Sequence, residues 1–146
     1  PKPLGGGSTG GSPSEQSNAD FAVLVAMKDD FLSATGLQTD GKPAFESRNA
    51  KCEEPTRADS EVPRYAQISV ALVLPTDRDE NQVLQGLLPE LEHLDKEHLD
   101  GDGSAVRDRS DKGRVSIERG GFQLAVSHVG GGPLMSLNLS GPCRQP

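Results

Sequence analysis

Apolar positions recur along this chain with two periods, and the switches between them mark out its elements. From Asp20 to Leu32 the spacing is three to four. Phe21, Leu24, Val25, Phe31 and Leu32, flanked by Met27, make one stripe, while Lys28, Asp29 and Asp30 face outward. That is the pattern of an amphipathic helix, with Ser17, Asn18 or Asp20 suited to cap its start and Gly36 to end it. Val83, Leu84, Leu87, Leu88, Leu91 and Leu94 repeat the spacing and predict a second helix, with Asp77 and Glu80 before them at capping-box separation. Pro89 lies inside that pattern, so a kink or two shorter helices are expected there.

Elsewhere the period is two. Ala44 to Cys52 reads as a strand with a polar exposed face, and Tyr65 to Leu74, dense in β-branched residues and stopped by Pro75, reads as an interior strand. Near the C-terminus Val115–Ile117, Phe122–Val126 and Leu134–Leu139 alternate, separated by Gly120-Gly121 and by Gly130-Gly131-Gly132. Short alternating runs with glycine punctuation predict an antiparallel meander. The stretches Glu53 to Pro63 and His98 to Lys112 read as charged loops. The fold class expected is α+β: an antiparallel β-sheet of four to five strands with two helices packed on one face, in the order α-β-β-α-β-β-β. This is the simplest arrangement that buries every apolar stripe.

Residues 1–18, PKPLGGGSTGGSPSEQSN, break the pattern. They hold too little apolar surface to offset the entropy of ordering them and are expected to form a flexible tether, native or engineered, ahead of a single domain over 19–146. The chain opens on Pro1, so a mature form whose targeting segment has been removed is expected. No run of eighteen apolar residues is present.

Composition narrows the partners. With no Trp, one Tyr and four Phe among 146 residues, exposed platforms for stacking sugars or bases are not expected. A net charge of −7, from 15 basic and 22 acidic residues, argues against nucleic acid and against electrostatic docking on an anionic membrane. Cys52 and Cys143 are 91 positions apart, which excludes a CxxC motif or a zinc ribbon. Two buried thiols would suit a reducing compartment. Each cysteine, however, follows an alternating run at the end of an expected strand, and that placement favours a disulfide and an oxidising compartment.

Motifs that carry chemistry are sparse. Asp100-Gly101-Asp102-Gly103-Ser104 opens like a calcium loop and offers Asp100, Asp102 and Asp111 as metal candidates, yet Ala105 stands where a sharp-turn glycine is needed and Asp111 where a bidentate Glu belongs. His93, His98 and His128 form no metal motif, and the five-residue spacing of the first two puts them on different faces of a continuous helix. The neighbouring carboxylates Glu53-Glu54 and Glu90-Glu92 lie in polar surroundings where no acid–base pair is foreseen. The glycine triplet leads into a strand and is therefore a turn, with no nucleophile elbow or phosphate loop elsewhere. The leucine face of the second helix could line a lipid cavity, and core packing explains it more simply. No catalytic residues and no cofactor are expected.

A helix, a strand ending in Ala50-Lys51-Cys52, a second helix and a terminal Leu137-Asn138-Leu139-Ser140-Gly141-Pro142-Cys143 together resemble small actinobacterial secreted lipoproteins of the LppA-like type, loosely over residues 20–143. The resemblance implies a lipid-anchored precursor whose acylated cysteine precedes Pro1, and it brings no catalytic residues. The expected function is that of a non-catalytic extracytoplasmic domain, in the cell envelope or secreted, that binds an envelope protein or an apolar ligand as a monomer. It would touch the membrane only through such an anchor. A secreted hydrolase whose active site the fold assembles, and a calcium-stabilised module, are the alternatives.

Overall fold

The computed structural model describes residues 12–52, 62–128 and 132–145. The first eleven residues, the segment with Glu53 and Glu54 that reads as a charged loop, and Gly130-Gly131 lie outside the described residues. Helix α1 runs Pro13–Thr35 and begins earlier than the apolar stripe suggests. Ser12 is its N-cap: the Ser12 hydroxyl accepts the Glu15 N–H at 3.2 Å and the Glu15 carboxylate accepts the Ser12 N–H at 3.0 Å. Pro13 follows at the first helical position, where no intrahelical donor is lost. The polar stretch from Pro13 to Asn18, expected to be tether, is thus the first turns of the helix. Gly36 ends it with φ at 69°. Phe21, Leu24, Met27 and Phe31 are buried, so Met27 is central to the stripe and Val25 and Leu32 flank it.

The second helical pattern breaks in two, α2 over Glu80–Gly86 and α3 over Leu88–His98, with Leu87 at the joint. Pro89 falls in the first turn of α3, the place where its missing N–H matters least. The cap of α2 is Asp79 rather than Asp77, with Gln82 completing the reciprocal bond.

Among the described residues six strands make one sheet: β1 Phe45–Lys51, β2 Arg64–Val73, β3 Val106–Arg109, β4 Arg114–Arg119, β5 Phe122–Ser127 and β6 Leu134–Ser140. Their spatial order is β1-β2-β6-β5-β4-β3, and every neighbouring pair is antiparallel. This corrects the expected four to five strands and their order. The added strand, β3, comes from the stretch read as a charged loop. It lies at the sheet edge with only Val106 partly buried, so it carries no alternation to read. The terminal meander forms as expected, with Gly120 and Gly121 both at positive φ in the β4–β5 turn.

All three helices cover one face. Ile68, Leu139, Leu124 and Ile117 stand opposite one another across β2, β6, β5 and β4, and Val70, Leu137, Val126 and Val115 form the next row. The α1 stripe packs on β2, while Leu91 and Leu94 of α3 sit over β4 and join the same core. The leucine face is therefore packed rather than open. At about 25 cal/mol per Å² of apolar surface removed from water, this single core is the main stabilising term. The chain end is fastened separately. Cys52 and Cys143 form a disulfide with Cα atoms 6.1 Å apart. Arg64 and Arg144 exchange backbone hydrogen bonds at 2.7 and 3.1 Å, and the Arg144 guanidinium grips the buried Asp20 carboxylate of α1 at 2.7 and 2.8 Å.

Candidate functional site

The face of the sheet away from the helices is built from the alternate residues of each strand. Its middle row runs Phe45, Ser69, Asn138, Ala125, Ser116 and Arg107 from β1 to β3. The next row holds Ala71, Ser136, Ser127, Arg114 and Arg109, and Val73 pairs with Leu134 beyond it. Small side chains keep this surface flat, and Ser69 donates to Asn138 at 2.6 Å across it. Phe45 on the edge strand, and Val73 with Leu134 two rows further along, are 58 %, 39 % and 43 % exposed, and they are the large apolar side chains most exposed among the described residues. At the opposite edge Arg107, Arg109, Lys112 and Arg114 line a shallow groove with Ser116 and Glu118. A chain with a net charge of −7 thus gathers four cations on one side of one face.

A second concentration of polar groups lies between α1 and α3. Asp30 faces α3 instead of pointing into solvent, and its Oδ2 accepts from His93 Nε2 at 3.1 Å and His98 Nε2 at 3.0 Å. His93 and His98 are five apart on α3, and Asp30 on the neighbouring helix is reached from both sides. Each imidazole carries its proton on Nε2, since a carboxylate only accepts. The hydrogen bond from His98, with that from His93, holds the Asp30 carboxyl below the usual range. Glu90 lies one turn before His93, and the Glu90 Oε2 atom is shut off from solvent without a hydrogen-bond partner. Burial pushes the Glu90 carboxyl up, so the surroundings of Glu90 are less polar than the sequence suggests. Asp30, Glu90 and His93 bring one ligand atom each within 4.8 Å of one another.

The loop after α3 has a different role from the one its calcium-like opening suggests. Asp95 is fully buried and takes two hydrogen bonds from Arg119 of β4, at 2.7 and 3.1 Å. The loop closes over this pair. Gly103 N–H donates to Asp95 Oδ2 at 2.8 Å, and Asp102 receives Arg119 Nη2 at 3.0 Å. The Ser104 hydroxyl and N–H hold the Asp102 carboxyl down to about 2. Gly101 is tightly specified, because a Cβ there would collide with the Asp95 carboxylate and the Arg119 guanidinium. Asp100 turns the chain in the left-handed region at φ 55°, and Asp111 sits in the 3-10 turn Ser110–Lys112. The structure does not gather Asp100, Asp102 and Asp111 as ligands: the cation that this loop meets is Arg119.

His128 is buried. Its Nε2 donates to the Gly132 carbonyl at 2.6 Å, and its Nδ1 contacts the Glu80 carboxylate at the start of α2. All three imidazoles are thus engaged by carboxylates or a carbonyl. A cleft of about 350 Å³ opens beside Glu90, between Thr35 and Leu37 at the end of α1 and Val83 and Leu87, with Arg78 at its rim.

No protein-family model matches the sequence, and neither a curated protein nor a solved structure is significantly similar to it. The disulfide indicates an oxidising, extracytoplasmic environment. Among the described residues no helix is long and apolar enough to cross a membrane.

Proposed function

We propose that this protein is a non-catalytic extracytoplasmic domain of the cell envelope, of the small-lipoprotein type, that works by docking a protein on the outer face of its sheet. The observation that carries the reading is that the exposed large apolar residues among the described ones, Phe45, Val73 and Leu134, share that face with the cationic strip of Arg107, Arg109, Lys112 and Arg114. Exposed large apolar side chains mark interaction surfaces, and arginine is enriched in interfaces. A flat surface of this kind cannot enclose a small apolar ligand, whereas a protein that offers an apolar patch beside acidic side chains complements it in shape and charge. The disulfide supports placement outside the cytoplasm.

Site-specific photo-cross-linking in the producing organism tests this reading. A cross-linker at Ser136 is expected to give one discrete adduct that disappears in the Phe45→Ser and Arg109→Glu backgrounds. The same adduct from a cross-linker at Gln85 on the helical side, or an adduct indifferent to both substitutions, would refute it.

A further inference from the structure

We propose that Asp30, Glu90 and His93, with His98 hydrogen-bonded to Asp30 beside them, form a binding site for a divalent transition-metal ion of the zinc type. A hydrogen-bonded clamp between the helices accounts for Asp30 and the two histidines, since one carboxylate oxygen can accept both N–H groups. It does not account for Glu90, whose Oε2 is buried beside them with nothing to bond. A cation shared by the two carboxylates would satisfy that atom, and a dication with two carboxylates and two neutral imidazoles is electrically balanced.

The donor geometry fits. Glu90 and His93 are three apart on α3 and so project from one side of the helix, and α1 brings Asp30 against them. Zinc bonds of about 2.0–2.2 Å in a tetrahedron place ligand atoms about 3.3–3.6 Å apart. His93 Nε2 and Asp30 Oδ2 are already 3.1 Å apart, and the Glu90 oxygen, within 4.8 Å, has only a short distance to close. Ligation needs the lone pair on Nε2, so the imidazole proton moves to Nδ1, a tautomer change that requires no net proton release. His93 is half exposed, which gives an ion a way in. Imidazole nitrogen beside carboxylate suits zinc, cobalt, nickel or manganese, whereas calcium asks for six to eight oxygens. The site is separate from the outer sheet face, so it stands or falls independently of the docking proposal.

Calorimetric titration of tag-free, chelator-treated protein with zinc chloride provides the test. One ion per chain with a Kd in the micromolar range or tighter is expected, and calcium chloride should give no heat. His93→Gln and Glu90→Gln, both on the half-exposed side of α3 and checked for folding by circular dichroism, should each weaken zinc about tenfold or more. Asp102→Asn should bind as the parent does. On the unaltered protein, zinc should shift the ring nitrogen resonances of His93 and His98 and leave those of His128 in place. Absence of uptake at micromolar zinc would overturn the proposal. So would uptake unchanged in both variants with the His93 and His98 rings unmoved, which would mean an adventitious ion only.

Discussion

Asp95 shows how one residue organises a region of this protein. Its carboxylate has no exposure, and it stays charged because Arg119 and the Gly103 N–H supply hydrogen bonds inside the fold. The bond from Arg119 lowers its pKa below the ordinary value of about 3.9. A carboxylate depressed in the folded state contributes stability that is complete above the unfolded pKa and is lost as pH falls through the folded one. Urea unfolding is therefore expected to show the parent protein losing stability as pH drops from about 4 toward 2. Asp95→Asn, already destabilised at pH 7 by about 3 kcal/mol, should lose less over that interval. None of this could be read from the sequence around Asp95, which looks like an ordinary polar position beside Leu94. The partner is 24 residues away on β4. The same limit hid Asp30, His93, His98 and Glu90, whose meeting depends on α1 lying against α3. Local spacing reports what shares a helix face and is silent about what another helix brings to it.

Among the elements, those with a strong apolar period were legible. The stripes of α1 and α3, the β2 run and the glycine-punctuated meander all appear where the pattern places them. What the pattern missed was set by polar side chains. The N-terminus of α1 is fixed by the capping pair Ser12 and Glu15 with Pro13 between them, none of which belongs to the apolar period, and β3 is held by backbone pairing with β4 at an edge. The break at Leu87 was foreseen from Pro89, and the cap of α2 lies two residues later than expected. The two aspartates can be told apart by substitution. Asp79→Ala should cost about 1 kcal/mol, read as a lowered Tm, because it removes the carboxylate that accepts the Gln82 N–H at the first turn of α2. Asp77→Ala should leave Tm nearly unchanged, since the pair that Asp77 makes with Arg78 at 3.6 Å is exposed.

For the whole molecule, the disulfide and its surroundings join the two ends of the domain. Cys52 follows β1 at one edge of the sheet, Cys143 follows the interior strand β6, and Arg144 then reaches Asp20 on α1. Closing a loop of 91 positions is worth about 4–5 kcal/mol in the chain-entropy model. The double variant Cys52→Ser/Cys143→Ser should lower the free energy of unfolding by roughly that amount in urea, and reducing agent should then have no further effect. The closed loop also bears on what the protein does when pulled. A molecule held at its N-terminus and drawn from its C-terminus can pay out only the chain outside the covalent ring. The ring from Cys52 to Cys143 holds 92 residues, one more than their separation of 91, which leaves 54 of the 146 outside it. At about 3.3–3.6 Å per residue, they reach roughly 180–200 Å before tension falls on the sulfur–sulfur bond itself. Most of the sheet, including β2 and the meander with the cationic strip, lies inside the ring, and a mechanical load passes around it.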